Sequence, residues 1–233
     1  MYEITYRSIS TSDMGVYVEH RPDVPASIER VDKVTIPGRD GDFLIRENGW
    51  EDIEIEGEMA FRTQADQWFS RWRSVKRWLT GNGKLVFADD ASFFYWVKNV
   101  TVSEAERELR KHGRFRVTFL CEAFHYDVEG AELAALPASG KLENPYELPA
   151  YPIYQITGEG NCVLTVNDYE LTANVGQNLM IDTKRQIAYR IDGTPQNTLV
   201  TGEYDKLLLP SGESEIAISS GFTLKIQPNW RCI

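Results

Sequence analysis

The chain has 233 residues, of which 42% are apolar and 26% charged, with a formal net charge of −10. That length suits either one large β domain or two of about 100 residues each, and no run approaches the roughly 18 apolar residues of a membrane helix, so no membrane insertion is expected. The acidic balance argues against a protein that grips phosphate backbones, and no nucleic-acid binding is expected.

The first ten residues, MYEITYRSIS, place an acid at Glu3 and lack the basic start, apolar stretch and small-residue cleavage site of a secretory signal. Synthesis and folding in a cytoplasm are therefore expected. Cys121, Cys162 and Cys232 are odd in number with no C-x-x-C spacing, which predicts buried free thiols, not a disulfide framework or a zinc site. Aromatic residues make up 12% of the chain, including six tryptophans, a content that β cores and protein interfaces share.

The stretch VTIPGRDGDF, Val34 to Phe43, follows an apolar strand-like run. Pro37 fixes φ, Gly38 tolerates φ > 0, and Asp40-Gly41 repeats the turn signal after Arg39, which predicts a stiff exposed loop. In EDIEIEGEMAF, from Glu51, Ile53, Ile55, Met59 and Phe61 alternate with Glu54, Glu56 and Glu58, the period of a strand with one wet face. The carboxylate row fits an interface or metal-binding surface; a solvated acidic stripe is the plainer reading.

Thr63 with Asp66 resembles a capping box, and Trp68, Phe69, Trp72, Val75 and Leu79 share a helical face up to Gly81. This predicts one amphipathic helix over 63–80. Arg71, Arg73, Lys76 and Arg77 fall in its carboxyl half, where positive charge complements the dipole. A basic helix and an acidic strand in one chain could join neighbouring subunits; a solvated helix face explains the same pattern.

Strands then return: KLVFADD, FFYWVKNVTVSEAEREL, and RFRVTFLCEAF, where Phe115, Val117 and Phe119 alternate with Arg114, Arg116 and Thr118. The last two predict a hairpin turning around His112 and Gly113, although SEAEREL also reads as helix. From Gly130 to Pro149 the chain becomes rich in proline, glycine and small residues. That places a domain over 1–135, a linker over 136–149 and a second domain over 150–233. Beyond the linker, short apolar runs separated by turn signals recur at intervals of about 8 to 12 residues, the spacing of a β-sandwich, with no second helix.

Catalytic and cofactor motifs do not emerge. His20, His112 and His125 are far apart without metal-ligand spacing, and no G-x-S-x-G elbow, Walker loop or strand-linked G-x-G-x-x-G is present. Carboxylate pairs such as Asp89-Asp90 and Glu213 with Glu215 are expected by chance among 35 acids. No enzyme activity, cofactor or metal is expected. A β-sandwich rich in Asn, Trp and Tyr also suits stacking of sugars, so a carbohydrate-binding module reading host-surface saccharide through the second domain stands as the alternative.

The carboxyl half carries P-I-Y-x-I-x-G from Pro152, I-D-T from Ile181, L-L-P-x-G from Leu208 and a terminal Trp230. In that order they resemble the second domain of the distal tail proteins of long-tailed, non-contractile phages. The amino half adds IPGRDG, the helix and F-x-C-E-A-F from Phe119 to Phe124, so the likeness spans nearly the whole chain. It implies a mainly β fold: a ring-forming first domain with one helix, and a galectin-like β-sandwich second. It further implies a homo-hexameric hub at the distal end of the virion's tail. The implied partners are the tail tube protein, the tail-tip (tail-associated) protein and a receptor-binding protein. Sugar-binding galectins use H-x-N-P-R with a following W-x-x-E; NPYE at Asn144 lacks the neighbouring histidine, which makes the second domain a scaffold. The candidate subunit or partner contacts are Pro37, Gly38, Arg39, Asp40 and Gly41, the acids Glu54, Glu56 and Glu58, and the bases Arg71, Arg73, Lys76 and Arg77.

Overall fold

The computed structural model describes residues 2–233. It is mainly β with a single α-helix and divides into two compact units, one ending at His125 and also taking in Ile233, the other spanning Tyr126–Cys232.

In the first unit the strands are β1 (Ile4–Tyr6), β2 (Ile9–Ser10), β3 (Val16–His20), β4 (Glu29–Thr35) and β5 (Asp42–Trp50). They are followed by β6 (Ile53–Arg62), β7 (Gly83–Phe87), β8 (Phe93–Val102), β9 (Glu106–Glu108) and β10 (His112–Asp127). The sheet order β2-β1-β7-β8-β10-β6-β3 has β2 and β3 at its two ends. Only Thr11–Gly15 separates these two strands, with Val16 N–H donating to Thr11 O at 2.8 Å, so the sheet curls until its ends meet. Tyr6 of β1 accordingly reaches Phe119 of β10 across the interior, ring to ring at 5.5 Å.

The helix α1 (Trp68–Trp78) lies along that seam. Arg71 donates to Met14 O at 3.1 Å, Trp78 Nε1 to Tyr6 O at 3.1 Å, and Trp68 Nε1 to His112 O at 2.9 Å. The helix begins later than the 63–80 pattern predicts. Thr63 N–H is taken by Lys111 O at 2.9 Å, continuing the strand ladder, and Gln67 stands at the N-cap without a side-chain cap. Its buried face is Trp68, Val75, Trp78 and Leu79. Phe69, expected inward, is 59% exposed, because the indole donors of Trp68 and Trp78 fix the helix's rotation against the sheet.

β6 matches its sequence pattern: Ile53, Ile55, Met59 and Phe61 are buried and Glu54 and Glu56 exposed. The hairpin expected around His112 and Gly113 turns three residues earlier, at Leu109–Lys111; His112 and Gly113 lie within β10, paired to Arg62 and Phe61. SEAEREL is neither helix nor continuous strand: β8 stops at Val102 and only Glu106–Glu108 pairs, with β10.

The second unit contains β11 (Ala134–Leu136), β12 (Ser139–Asn144), β13 (Ile153–Val166), β14 (Tyr169–Asp182), β15 (Ile187–Tyr189), β16 (Val200–Thr201), β17 (Gly212–Ile218) and β18 (Thr223–Gln227). The stretch expected as a linker over 136–149 holds β12, which pairs with β17 through six residues. β13 and β14 form one fourteen-residue hairpin that changes partners midway. The start of β13 pairs with β18 and its end with β17, while β14 pairs with β16 early and β15 late. The change falls where Gly158 and Gly160 oppose Gln177 and Val175; Gly158, Gly160 and Gln177 all have positive φ, a left-handed kink suited to a corner between layers.

Candidate assembly surfaces

The resemblance motifs of the second unit meet in its core. Tyr154 pairs with Ile181 and Ile153 with Asp182; Thr183 donates to Pro152 O at 2.8 Å, and Tyr154 to Leu207 O at 2.8 Å. Leu209 bridges to Ala150, and Trp230 is buried in the same cluster. Burial pushes the Tyr154 phenol far above its ordinary pKa, so it stays a hydrogen-bond donor. These residues hold layers together and bring no open reactive group to the surface.

The VTIPGRDGDF stretch forms the tip of the β4–β5 ribbon, a two-stranded sheet separate from both larger ones. All five tip candidates, Pro37, Gly38, Arg39, Asp40 and Gly41, are exposed. Gly38 and Gly41 have φ near +80°, and Arg39 N–H donates to Ile36 O at 3.2 Å. Period-two placement puts Val34, Phe43 and Ile45 on one face and Val31 and Leu44 on the other. All five are 40–54% exposed. A lone two-stranded ribbon is marginal in water, and an apolar one marks a contact surface. β5 carries no turn-bounded alternation strong enough to announce it, and the ribbon's apolar character is the feature sequence reading missed.

The acidic row Glu54, Glu56 and Glu58 borders an open groove of about 640 Å³ facing His20, Asp23, Val24 and Pro25. Two cations at this groove are engaged within the chain. Arg21 Nε donates to Asp89 at 2.5 Å, which with Tyr2 O–H at 2.7 Å holds the Asp89 carboxyl below its usual range. Arg116 meets Glu58 at 3.1 Å. Glu54 and Glu56 have no ion pair among the described residues. On α1, Arg71 is half-buried and bound to Met14 O, whereas Arg73, Lys76 and Arg77 are exposed, also without an ion pair among the described residues. The acidic row and basic helix therefore do not neutralise each other within the chain.

Among the described residues no three His, Cys, Asp or Glu side chains are grouped to hold a metal. Cys121 and Cys162 are buried free thiols, and Cys232 is half-buried. Burial pushes the Cys121 thiol up to about 12, so it carries no thiolate at neutral pH.

No family model and no curated protein matches the sequence. Among solved structures, the chain is similar to the SPP1 Dit (gp 19.1) protein, described as a paradigm of the hub adsorption apparatus in phages infecting Gram-positive bacteria. The match covers 97% of this chain and 98% of that one, with a TM-score of 0.65 at 14% identity. The fold is shared over essentially the full length of both chains.

Proposed function

We propose that this chain is a structural protein of a phage tail, the hub of the tail tip, in which six copies close a ring. The ring joins the tail tube protein to the tail-tip protein, offers a seat for receptor-binding protein, and sits at the distal end of the virion's tail. The observation that carries this reading is the full-length fold match to a phage hub protein. A second feature supports it: the β4–β5 ribbon exposes apolar side chains on both faces, which a monomer has no use for.

A ring needs two complementary, non-identical faces on each subunit. The ribbon with its Pro37–Gly41 tip supplies one apolar projection, preorganised by the glycines so that little entropy is lost on docking. Glu54 and Glu56 opposite Arg73, Lys76 and Arg77 of a neighbour supply a polar pair. The domain roles follow: the first unit closes the ring and the second is a β-sandwich scaffold around it. Light scattering with negative-stain microscopy of the purified chain tests this; ring-shaped particles are expected, and a strictly monomeric chain opposes it.

A further inference from the structure

The β9–β10 turn is built against local preference. Glu108 O accepts Lys111 N–H at 3.2 Å, and both central residues, Leu109 and Arg110, have positive φ, at 47° and 62°. Asn-Gly normally supplies that type I′ geometry because other side chains crowd the backbone there. Here the strain is held by Arg107. Its guanidinium donates to Ala65 O at 2.9 Å and Arg110 O at 3.2 Å while lying over the Trp68 and Phe69 rings at 5.2 and 5.4 Å. The product is a braced turn that presents Leu109 at 86% exposure, the most exposed large apolar residue among those described. Strain held in place by surrounding structure, with an apolar side chain offered to water, fits a preorganised anchor.

A socket lies at the other end of α1. Ile9, Met14 and Trp78 line an open cavity of about 340 Å³ whose remaining lining is Ser74, Arg77 and Arg7. Leu109 belongs to the end of the helix near Ala65, and the socket belongs to its last turn, so one chain does not fill its own hole. Glu106, exposed on β9 beside the anchor, complements Arg7 of the socket, while Glu108 meets Arg114 of its own chain at 3.9 Å; Arg110 and Lys111 follow Leu109 and must point away in the docked pose. A knob and a hole on different faces of one chain generate a heterologous contact, the kind that closes rings.

We propose that Leu109 of one copy seats in the Ile9–Met14–Trp78 socket of the next copy, making this turn the apolar anchor of the subunit contact. The inference rests on the ring reading above and names its contact. Leu109→Gly is the sharpest probe, because glycine suits the left-handed backbone and removes only the anchor. Diluted until both are dissociated, the variant is expected to melt no lower than wild type, yet at ring-forming concentrations to lose its rings in light scattering. Rings that persist at wild-type concentrations overturn the anchor and leave the hub reading standing. In a Cys232→Ser background, Leu109→Cys combined with Ile9→Cys is expected to give an oxidised ladder of linked chains that neither single variant gives. Absence of any linked dimer overturns the contact. If wild type forms no ring, the hub reading fails by that result, and the ladder alone decides whether the contact exists.

Discussion

Phe43→Thr combined with Ile45→Thr should weaken ring assembly while leaving the isolated chain intact. The two residues share one face of the ribbon with Val34, which pairs directly with Phe43. Phe43 is 50% and Ile45 46% exposed, so about half of each side chain is left to bury against a partner. Full burial of such a side chain contributes about 1.5–3 kcal/mol, so the remaining half is worth about 1 kcal/mol each. Losing both costs about 2 kcal/mol per contact, roughly a 30-fold shift in the concentration at which rings form. Threonine keeps the strand propensity of the ribbon but gives up the half of each side chain that the subunit itself covers, so the subunit's own stability should fall by at most about 2 kcal/mol. Sedimentation velocity over a dilution series reads the midpoint, and thermal melting of the dissociated chain reads the control. A shift below about threefold, with rings intact, would place the ribbon in water within the assembly and exclude it from the subunit contact.

Three further outcomes follow from the first unit. Gly113→Ala places a Cβ 2.3 Å from Phe61 Cζ, and Phe61 is fully buried with Trp72 stacked on it at 6.1 Å. Overpacking of about 1–3 kcal/mol outweighs the chain-entropy gain of replacing glycine, so urea unfolding should show a net loss of about 1–2 kcal/mol. Trp50, Trp68, Trp72, Trp78 and Trp96 all lie in the first unit, so indole fluorescence reports this transition; an unchanged midpoint contradicts the packing described. His125 contacts Tyr95 edge-on, and burial holds its pKa below the ordinary histidine value, partly offset by Asp90. The unfolded chain thus binds the proton more readily, so stability is full above about pH 6.5 and falls as the pH drops below it. His125→Gln should flatten that slope, and an identical pH profile would count against it. If Glu54 and Glu56 face Arg73, Lys76 and Arg77 of a neighbour, raising salt from about 0.05 M to about 0.5 M should weaken assembly as the screening length falls from roughly 14 Å to roughly 4 Å. Salt-independent assembly would assign the contact to apolar packing alone.

Strong periodic patterns were legible, and the features that depend on distant partners were not. β6 shows its buried and exposed faces by alternation alone. The helix is visible by its apolar spacing, yet its start and rotation are set elsewhere: Lys111 O takes the Thr63 N–H that a capping box would need, and Tyr6 O and His112 O take the indole donors. Composition between Gly130 and Pro149 suggests a linker, but Leu142 opposite Ser214 and Lys141 near Glu213 at 2.6 Å show a strand formed by pairing with β17. The carboxyl-half motifs behind the family resemblance are core contacts of the second unit, so they mark the fold. Leu109 left no trace in the sequence, since a left-handed turn is announced by Asn or Gly and this one is enforced by Arg107.

Under the proposed function, this chain's surface closes on copies of itself in a ring of six. Mass photometry of the purified chain, paired with class averages from negative-stain images, tests it most directly. A six-fold ring of six times 26.6 kDa, about 160 kDa, is expected. A single species at 26.6 kDa over the whole concentration range, with no ring in the images, would contradict it.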